Sequence, residues 1–509
     1  MSEDDLTADL WDRLTPRQRI ARVLMVLSEI TEAGGVTQDT MSAVAEGVGA
    51  FHGPPMLASG LPDRPRLARQ INGAMRRAGA ERFGIEPLIG ANLESGLAYS
   101  LGRGGTDVPY PGALGQVSAE LSYAVGRQVG LDAASCGYDW AFQPVVDVRI
   151  SRDDPVIGVR TFTGGPDEIS ARAVAYLQGI QSTGVLATAK HFPGHGDASV
   201  DSHHDLPVVH RDAQAHRQTH LRPYLAVIEA GVGSIMSAHI VLPDLGLTEI
   251  ATFCPEIGQD LLRDELGFEG ILVSDSLRMR AVSDRFTRRQ AVVRALTAGC
   301  DVANIKCPPG VVPGLLDELE DALAREELAE ADLYRAFRRV VNATSRTLED
   351  SWQAVLDGSG RFEAPGLSGA IQVRDEQNSL PLRAGAAGSV GILVDPAGTF
   401  AEPLDGALAD LSDMLGVRLV QVTREDDRPD DVECLVVISR GQAGPTATEL
   451  SLVRAAESGT MPAAVLLAGP IDVADRCPTS LPVVQAPCID VFGLVSRSTA
   501  YPALRAMLG

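Results

Sequence analysis

The segment VLATAKHFPGHGD, residues 185–197, begins as an apolar run and ends in a loop rich in glycine and polar residues. The first five residues have the composition of a buried strand. Pro193, Gly194 and Gly196 then disfavour a helix and favour a shaped loop. A buried strand followed at once by chemically active side chains is typical of a (β/α)8 barrel, whose active sites lie at the carboxyl ends of the strands.

Similar apolar runs recur through the first 310 residues of the chain. Amphipathic stretches such as residues 117–129 and 213–230 separate most of them. Because strands that alternate with helices form parallel sheets, eight such runs predict an α/β fold with an N-terminal (β/α)8 TIM-type barrel. The eight runs are residues 23–27, 47–52, 87–93, 140–148, 185–192, 234–240, 270–277 and 301–306.

A second domain is predicted after the barrel. Helical sequence continues from residue 315 to about residue 355, and a stretch containing Gly and Pro then has the composition of a linker. Five further apolar runs indicate a smaller α/β domain with a parallel sheet; they are residues 389–395, 417–422, 433–440, 462–469 and 481–487. We therefore predict a barrel domain over residues 1–350, a linker over 351–370 and an α/β domain over 371–509.

The charge of the chain excludes several classes of partner. Its 509 residues include 67 acidic and 44 basic side chains, which gives a net charge of −23. Such a field repels nucleic-acid phosphates and anionic lipids, so neither is an expected partner. It suits a neutral or cationic small molecule better than a nucleotide-linked one. Only two of the basic residues are lysines, Lys190 and Lys306, and both lie at ends of predicted barrel strands.

The cysteines and the N-terminus bear on location and cofactors. Seven cysteines without a C-x-x-C pair indicate neither a disulfide framework nor a structural zinc site. The N-terminus is acidic where a signal peptide would be basic. No apolar run reaches the roughly 18 residues that a bilayer-spanning helix needs. We expect a cytoplasmic protein, a monomer or homodimer, without a metal or other cofactor.

The histidines concentrate in one part of the chain, since eight of the nine lie between residues 191 and 239. Within that interval, Asp201 and His203 are two residues apart, and in extended backbone such positions project to the same side. A carboxylate that accepts from one imidazole nitrogen raises the basicity of the other, which gives a general acid/base. The alternative is a solvated polar loop in which Asp and Ser only form turns.

A carboxylate also ends the predicted strand at residues 270–277. Asp275 follows four apolar or small residues and would stand at the barrel mouth. An Asp at a strand end is also a common cap for the next helix. Paired with His203, however, it becomes a candidate nucleophile. A carboxylate on one face of an anomeric carbon and a proton donor on the other would give retaining glycoside hydrolysis.

These motifs together resemble glycoside hydrolase family 3, especially its bacterial β-N-acetylglucosaminidase branch. Residues 190–207 fit that branch's pattern K-H-F-P-G-H-G-D-x-x-x-D-S-H-x-x-L-P throughout. The resemblance is strong over residues 14–310 and weak after residue 366. Other stretches that agree with the family are residues 14–20, 143–147, 237–239, 273–279 and 378–382.

The resemblance implies a retaining exo-β-glycosidase that hydrolyses N-acetylhexosaminides or related amino-sugar glycosides. Asp275 would be the nucleophile, His203 the acid/base, and Asp201 the residue that orients His203. A neutral His repels an anionic acceptor less than a carboxylate would, so phosphorolysis stays open. His195 and Asp197 are expected to shape the loop. The expected substrate-binding residues are Lys190, His191, Arg160, Asn92, Glu94 and His239.

The chain departs from the family after its third strand. The family pattern D-x-E-G-G-R-V-x-R is here N-L-E-S-G-L-A-Y-S, residues 92–100. Asn92 replaces an Asp, and Leu97 and Ser100 replace two arginines. An amide loses the charge-assisted acceptor, whose hydrogen bonds are about twice as strong. The terminal sugar is therefore expected to differ from plain N-acetylglucosamine, or turnover to be slow.

Three other readings remain. A metal-dependent barrel hydrolase could use Lys190, His239 and Asp275, although Pro193 and Gly194 prevent a helical metal pair of His191 and His195. A β-glucosidase or a phosphorylase of the same family, or a non-catalytic sugar-binding relative, would explain the changed residues 92–100. Neither a phosphate-binding loop of the type G-x-x-x-x-G-K-[ST] nor a G-x-S-x-G elbow occurs.

Overall fold

The computed structural model describes residues 3–348 apart from short gaps at 54–60, 62, 103–104, 116–117, 153, 155 and 199–204. Asp201 and His203 lie in the last of these gaps, and the predicted linker also lies outside the described residues. The proposed domain boundaries therefore stay a prediction. Farther along the chain the structure describes residues 372–374, 380, 382, 389–393, 408, 411–412, 415, 418–422, 432–439, 445–458, 463–468, 477, 479, 481–486, 500, 503–504 and 506–507.

Eight parallel strands form one sheet in the order β7-β6-β5-β4-β3-β2-β1-β8. A parallel bridge between Val273 and Val302 joins β7 to the start of β8 and closes the ring. One strand lies inside each of the eight predicted runs, so the predicted barrel is confirmed. The strands are β1 Leu24–Leu27, β2 Ala50–His52, β3 Leu88–Ala91, β4 Trp140–Ala141, β5 Leu186–Phe192, β6 Ser234–Ser237, β7 Ile271–Ser274 and β8 Ala303–Asn304.

Helices connect these strands. Those of the barrel region are α1 Glu3–Asp12, α2 Pro16–Arg22, α3 Gln38–Glu46, α4 Arg64–Phe83, α5 Ala98–Leu101, α6 Pro111–Leu114, α7 Ala119–Ser135, α8 Pro166–Gln181, α9 Ala213–Thr219, α10 Leu221–Glu229, α11 Arg280–Ser283, α12 Arg288–Thr297, α13 Val312–Ala324 and α14 Glu330–Leu348. A π-helix spans Glu256–Glu265. Short 3-10 turns are Gly158–Arg160, Pro243–Leu245, Ala251–Phe253 and Pro309–Val311.

The amphipathic stretch predicted over residues 213–230 forms two helices. The break falls at His220, between α9 and α10. Pro223 explains it, because a proline has no N–H to donate to the carbonyl four residues earlier and its ring clashes with that carbonyl. The break matters for the site, because it positions His220 behind the loop that follows β5.

The barrel has two separate apolar layers. One lies inside the ring of strands and the other between the strands and the helices. Because side chains alternate along a strand, each strand contributes to both layers. A filled interior leaves the barrel mouth as the place for a site. The interior layer consists of Met25, Ala50, Leu88, Trp140, Phe142, Leu186, Met236, Ile271, Val273, Val302 and Val340.

The C-terminal part contains a six-stranded sheet in the order β11-β10-β12-β13-β14-β9. Five strands are parallel; four fall within predicted runs, and β12 begins one residue before the run at 433–440. β9 is antiparallel to β14 at the edge, and the sequence analysis missed it. Apolar clusters cover both faces of the sheet. The elements are β9 Gln372–Arg374, β10 Ser389–Leu393, β11 Arg418–Val422, β12 Val432–Ser439, α15 Ala447–Ser458, β13 Ala463–Leu467 and β14 Val483–Gln485.

Across the described residues, no helix combines the length and the apolar character that crossing a membrane requires.

Two helices on the outside of the barrel, α7 and α8, touch through glycines. A Cβ added at Gly126 would lie 2.1 Å from the carbonyl oxygen of Tyr176. We predict that Gly126→Ala lowers the free energy of unfolding by about 1–3 kcal/mol, because overpacking outweighs the better helix propensity of alanine. Urea denaturation measures this change.

Gly314 in α13 supplies the control, since a Cβ added there meets nothing within 4 Å. Gly314→Ala should leave stability unchanged or raise it by up to about 1 kcal/mol. Equal losses in the two variants would contradict the packing argument.

Candidate active site

The polar residues at the strand ends continue the inward-facing rows of the barrel interior. His52 lies two residues after the interior residue Ala50, and Lys190 lies four after Leu186. Alternation therefore directs both side chains toward the barrel axis, above the apolar layer. Asp275 and Lys306 lie near the same lysine. The charge of Asp275 raises the pKa of Lys190, and the charge of Lys190 lowers the pKa of Lys306.

Glu94 is the centre of a buried group of charges. Its Oε1 atom lies 2.6 Å from Lys190 Nζ and 3.0 Å from Arg160 Nη2. The three residues are exposed by 5% or less. Burial alone would raise the pKa of Glu94, but Arg160 and Lys190 outweigh it and hold the pKa well below its usual range. Burial lowers the pKa of Lys190, and Glu94 opposes that change. The charged forms of this cluster therefore depend on one another.

A tight turn after β3 positions Glu94. Gly96 has a φ of 83° and its N–H donates to the carbonyl of Leu93. A Cβ at Gly96 would lie 2.6 Å from the carbonyl oxygen of Thr106, so the turn accepts only glycine there. Glu94, Lys190 and Arg160, which the sequence predicts to bind substrate, lie together in the structure.

Asp147 holds the loop that follows Lys190. One of its oxygens accepts from the His191 N–H at 3.1 Å and from His191 Nδ1 at 2.8 Å, and the other accepts from the His195 N–H at 2.7 Å. Burial would raise the pKa of Asp147, but His191 and these N–H groups hold it below the usual value. Sequence reasoning gave Asp147 no role. Its signal was a carboxylate at the end of the fourth apolar run.

The rest of the loop is anchored by a second carboxylate. Asp197 accepts two hydrogen bonds from Arg211, at 2.8 and 2.6 Å. His216 Nε2 lies 3.1 Å from the carbonyl oxygen of Pro193. These contacts agree with the loop-shaping role expected for His195 and Asp197. Asp201 and His203 lie outside the described residues, so their roles stay a prediction.

Asp275 stands directly after β7, half-buried. Its Oδ1 accepts from the Ser276 N–H at 2.6 Å. His239 lies beside it, with Nε2 3.1 Å from the Ser276 carbonyl oxygen and Nδ1 2.9 Å from Thr252 Oγ1. Both ring nitrogens of His239 are therefore already bonded within the protein. We propose that His239 positions the segment carrying Asp275, instead of the direct sugar contact that the sequence predicted.

The structure shows what contacts the side chains make at the positions that depart from the family pattern. Leu97 is buried in the outer apolar layer. Ser100 donates to the carbonyl oxygen of Asn92 at 2.6 Å and closes the turn. The side chain of Asn92 is half-buried at the mouth. The two positions where the family has arginines thus serve the fold of this turn, and Asn92 alone remains at the site.

A barrel with a carboxylate after β7 and buried cations at its mouth is the architecture of a barrel enzyme that acts on a polar small molecule. Comparison with known proteins gives the family. Residues 36–343, more than half of the chain, match the glycosyl hydrolase family 3 N-terminal domain. The chain therefore belongs to glycoside hydrolase family 3 and is a glycoside hydrolase.

Individual relatives agree with this assignment. The chain is 32% identical over 287 residues to beta-hexosaminidase A of Pseudoalteromonas piscicida, an alignment covering 51% of this chain and 48% of that protein. It thus matches about half the length of that relative. It is 32% identical to a beta-hexosaminidase of Nitrosomonas eutropha, covering 50% of this chain and 74% of that protein.

A solved structure shares the whole fold. The family 3 beta-N-acetylglucosaminidase of Paenibacillus sp. aligns with a TM-score of 0.81, over 97% of this chain and 96% of that chain. At 23% identity, this likeness shows the two-domain fold.

The Glu94 cluster yields a stability prediction. Glu94→Gln leaves Lys190 and Arg160 without their shared carboxylate, and we expect a loss of about 3–5 kcal/mol in the free energy of unfolding. Chemical denaturation measures it. The control is Glu249→Gln, which breaks an exposed ion pair with Arg294 and should cost about 1 kcal/mol or less. A similar loss in both variants would show that the cluster is not a coupled unit.

The histidines behind the loop give a pH prediction. Burial lowers the pKa of His220 from 6.5 to about 4, although Asp197 opposes the change. The unfolded chain binds a proton at His220 more readily than the folded chain does. The contribution of neutral His220 to the free energy of unfolding is therefore full above pH 6.5 and is lost as the pH falls toward 4. When the pH is lowered from 7.5 to 5, we expect His220 to lower the free energy of unfolding of the wild type by about 2 kcal/mol.

The comparison variant is His220→Gln, which cannot take up that proton. Its unfolding free energy should fall about 2 kcal/mol less than that of the wild type between the two pH values. His210→Gln, at an exposed histidine, should follow the wild type. Parallel pH curves for wild type and His220→Gln would contradict the assignment.

Proposed function

We propose that this chain is a retaining exo-β-glycosidase that hydrolyses terminal β-linked N-acetylhexosaminides or a related amino-sugar glycoside. The observation that carries the proposal is the placement of Asp275 at the same barrel mouth as the Lys190–Glu94–Arg160 cluster. The relatives named beta-hexosaminidase support the amino-sugar class.

The cluster serves to bind the terminal sugar. An ammonium group has three N–H donors, and Glu94 accepts one from Lys190. The remaining donors of Lys190 suit sugar hydroxyls. His191 is similarly placed, because its Nδ1 is bonded to Asp147 while its Nε2 has no partner among the described residues. Since the buried ion pairs fix these side chains in advance, the sugar meets a preorganised set of donors.

The reaction proceeds in two displacements. In the first, the Asp275 carboxylate attacks the anomeric carbon while protonated His203 gives its proton to the departing glycosidic oxygen. This step leaves a glycosyl ester on Asp275 and a neutral imidazole. In the second, His203 takes a proton from water, the resulting oxygen nucleophile attacks the anomeric carbon, and the carboxylate of Asp275 departs. Asp201 orients His203 in both steps.

The terminal sugar differs from plain N-acetylglucosamine in this proposal. Asn92 offers an amide where the family has a carboxylate, and Leu97 and Ser100 support the turn in place of two arginines. A hydroxyl group that a carboxylate would bind therefore meets a weaker partner at Asn92.

Location and assembly are part of the same proposal. We infer a cytoplasmic enzyme, monomeric or homodimeric. Four cysteines of the barrel, Cys136, Cys254, Cys300 and Cys307, support a reducing compartment, because they are not in disulfides and are buried in the apolar core. Cell fractionation and light scattering of the purified chain test these two statements.

The test is a panel of aryl β-glycosides assayed with and without phosphate. Asp275→Ala should lower kcat/KM by at least about 10⁴-fold, because no covalent intermediate can form. His203→Ala should lower it by about 10²- to 10⁴-fold for poor leaving groups. For 2,4-dinitrophenyl glycosides the first step should survive, because that leaving group needs no proton.

The matched control is His210→Ala, which removes an exposed histidine 3.3 Å from Asp244 and should keep the wild-type rate. Equal rates in all four proteins would contradict the mechanism. Release of a sugar 1-phosphate when phosphate is added would assign the chain to the phosphorylase alternative.

A further inference from the structure

A second cation stands at the barrel mouth, outside the Glu94 cluster. Lys306 follows β8, whereas His52 ends β2, and β1 lies between them. Leu27 of β1 pairs with His52 on one side, and its N–H donates to the carbonyl of Cys307 at 3.0 Å on the other. Since neighbouring strands are about 4.8 Å apart, His52 and the Lys306 segment stand at one level, roughly 10 Å from each other.

The contacts of Lys306 do not explain why a lysine is there. Its backbone has a φ of 42°, a left-handed conformation that residues other than glycine seldom adopt. Within the described part of the chain, Nζ of Lys306 makes no hydrogen bond or ion pair. Burial lowers the pKa of Lys306, and the nearby Asp275 opposes that change. A partly buried cation with a strained backbone, and with no hydrogen bond or ion pair among the described residues, is a candidate for binding a ligand.

The charges around the mouth favour an anion. Among the described residues, the cations at the mouth are Lys190, Arg160, Lys306 and Arg278, and the anions are Glu94, Asp275 and Asp147. Glu94 is already shared by two of the cations. Asp275 loses its charge when it becomes a glycosyl ester, which leaves Lys306 without a counterion. The mouth is therefore locally cationic, although the whole chain carries a charge of −23.

The imidazole of His52, at the same level of the mouth as Lys306, is neutral. Burial, followed by the charges of Lys306 and Lys190, lowers the pKa of His52 to about 3. Its Nδ1 lies 3.4 Å from the carbonyl oxygen of Gly53, and its buried Nε2 has no partner in the described structure. With Nδ1 as the donor, Nε2 is left as a hydrogen-bond acceptor.

We infer that Lys306 is a specificity residue that binds an oxyanion carried by the terminal sugar, such as a carboxylate or a phosphate ester. This inference rests on the proposed glycosidase function and narrows its substrate. We place the oxyanion on the terminal sugar and not on a separate acceptor molecule. The reason is that Lys306 interacts electrostatically with Glu94 and Lys190, which are buried and which we propose to bind that sugar. Asn92 fits the same sugar, since a carboxylate there would repel the oxyanion.

The kinetic test compares sugars that differ by one charged group. The pairs are 4-nitrophenyl β-glucuronide with the β-glucoside, and 4-nitrophenyl N-acetyl-β-glucosaminide with and without a 6-phosphate. For at least one pair, Lys306→Met should lower the ratio of kcat/KM for the anionic over the neutral sugar at least tenfold. Lys306→Arg should restore most of it.

The control is Arg280→Met. Arg280 is an exposed cation on the neighbouring helix α11, paired with Asp284, and its loss should leave the ratio unchanged. A loss of rate that is the same for charged and neutral sugars would overturn the inference. It would show that Lys306 only serves as a counterion for Asp275.

A binding experiment separates failure of this inference from failure of the glycosidase proposal. Calorimetry with Asp275→Asn measures the binding of glucuronate, N-acetylglucosamine 6-phosphate and inorganic phosphate without turnover. Binding of a sugar anion that Lys306→Met weakens at least tenfold supports the inference even if no sugar is hydrolysed. Binding of inorganic phosphate alone would overturn it and assign Lys306 to a phosphate acceptor. No anion binding would also overturn it.

Discussion

The carboxylate of Glu94 is buried between two cations that come from distant parts of the chain. Lys190 belongs to β5 and Arg160 to the segment after β4, yet both bond to one oxygen of Glu94. Removing three charged groups from water costs several kcal/mol for each ion, so none of them is tolerable without the others. The turn after β3, the loop after β4 and the end of β5 must therefore form together. That constraint shapes the side of the barrel mouth on which a sugar would rest.

Asp147 extends the same principle to the loop after β5. A single carboxylate holds two backbone N–H groups and one imidazole, and so fixes the path of the chain just before the segment that contains Asp201 and His203. In both cases a buried acid organises basic or polar partners around it. On the other side of the mouth, no carboxylate among the described residues is hydrogen-bonded to Lys306, and in this its surroundings differ from those of Lys190.

Much of this architecture could be predicted from the sequence. Buried parallel strands are continuous apolar runs; twelve of the thirteen predicted runs contain a whole strand, and the remaining run begins one residue after β12 does. The motif at residues 190–197 placed Lys190 and His191 at a strand end. The edge strand β9 was missed, because Gln372–Arg374 is too short and polar to stand out. The break at His220 has a signal in the sequence, because Pro223 disfavours a helix that continues through residue 219.

The contacts of individual side chains were harder to predict. Nothing in the sequence showed that both nitrogens of His239 are bonded within the protein, or that Ser100 donates to the carbonyl of Asn92. Such contacts depend on three-dimensional packing between strands far apart in the chain. The net charge of −23 describes the whole chain, and it did not show that Lys190, Arg160 and Lys306 lie together at the barrel mouth.

Mass spectrometry of a trapped intermediate tests the central claim most directly. The reagents are 5-fluoro β-glycosyl fluorides of N-acetylglucosamine, glucose and glucuronic acid, which keep the substituent at C2 and slow the hydrolysis of the ester. The account predicts that at least one of them adds a single sugar mass to the chain, located by peptide mapping on Asp275. A sugar attached to a different residue, or turnover of these reagents with no attached sugar at any time, would contradict it.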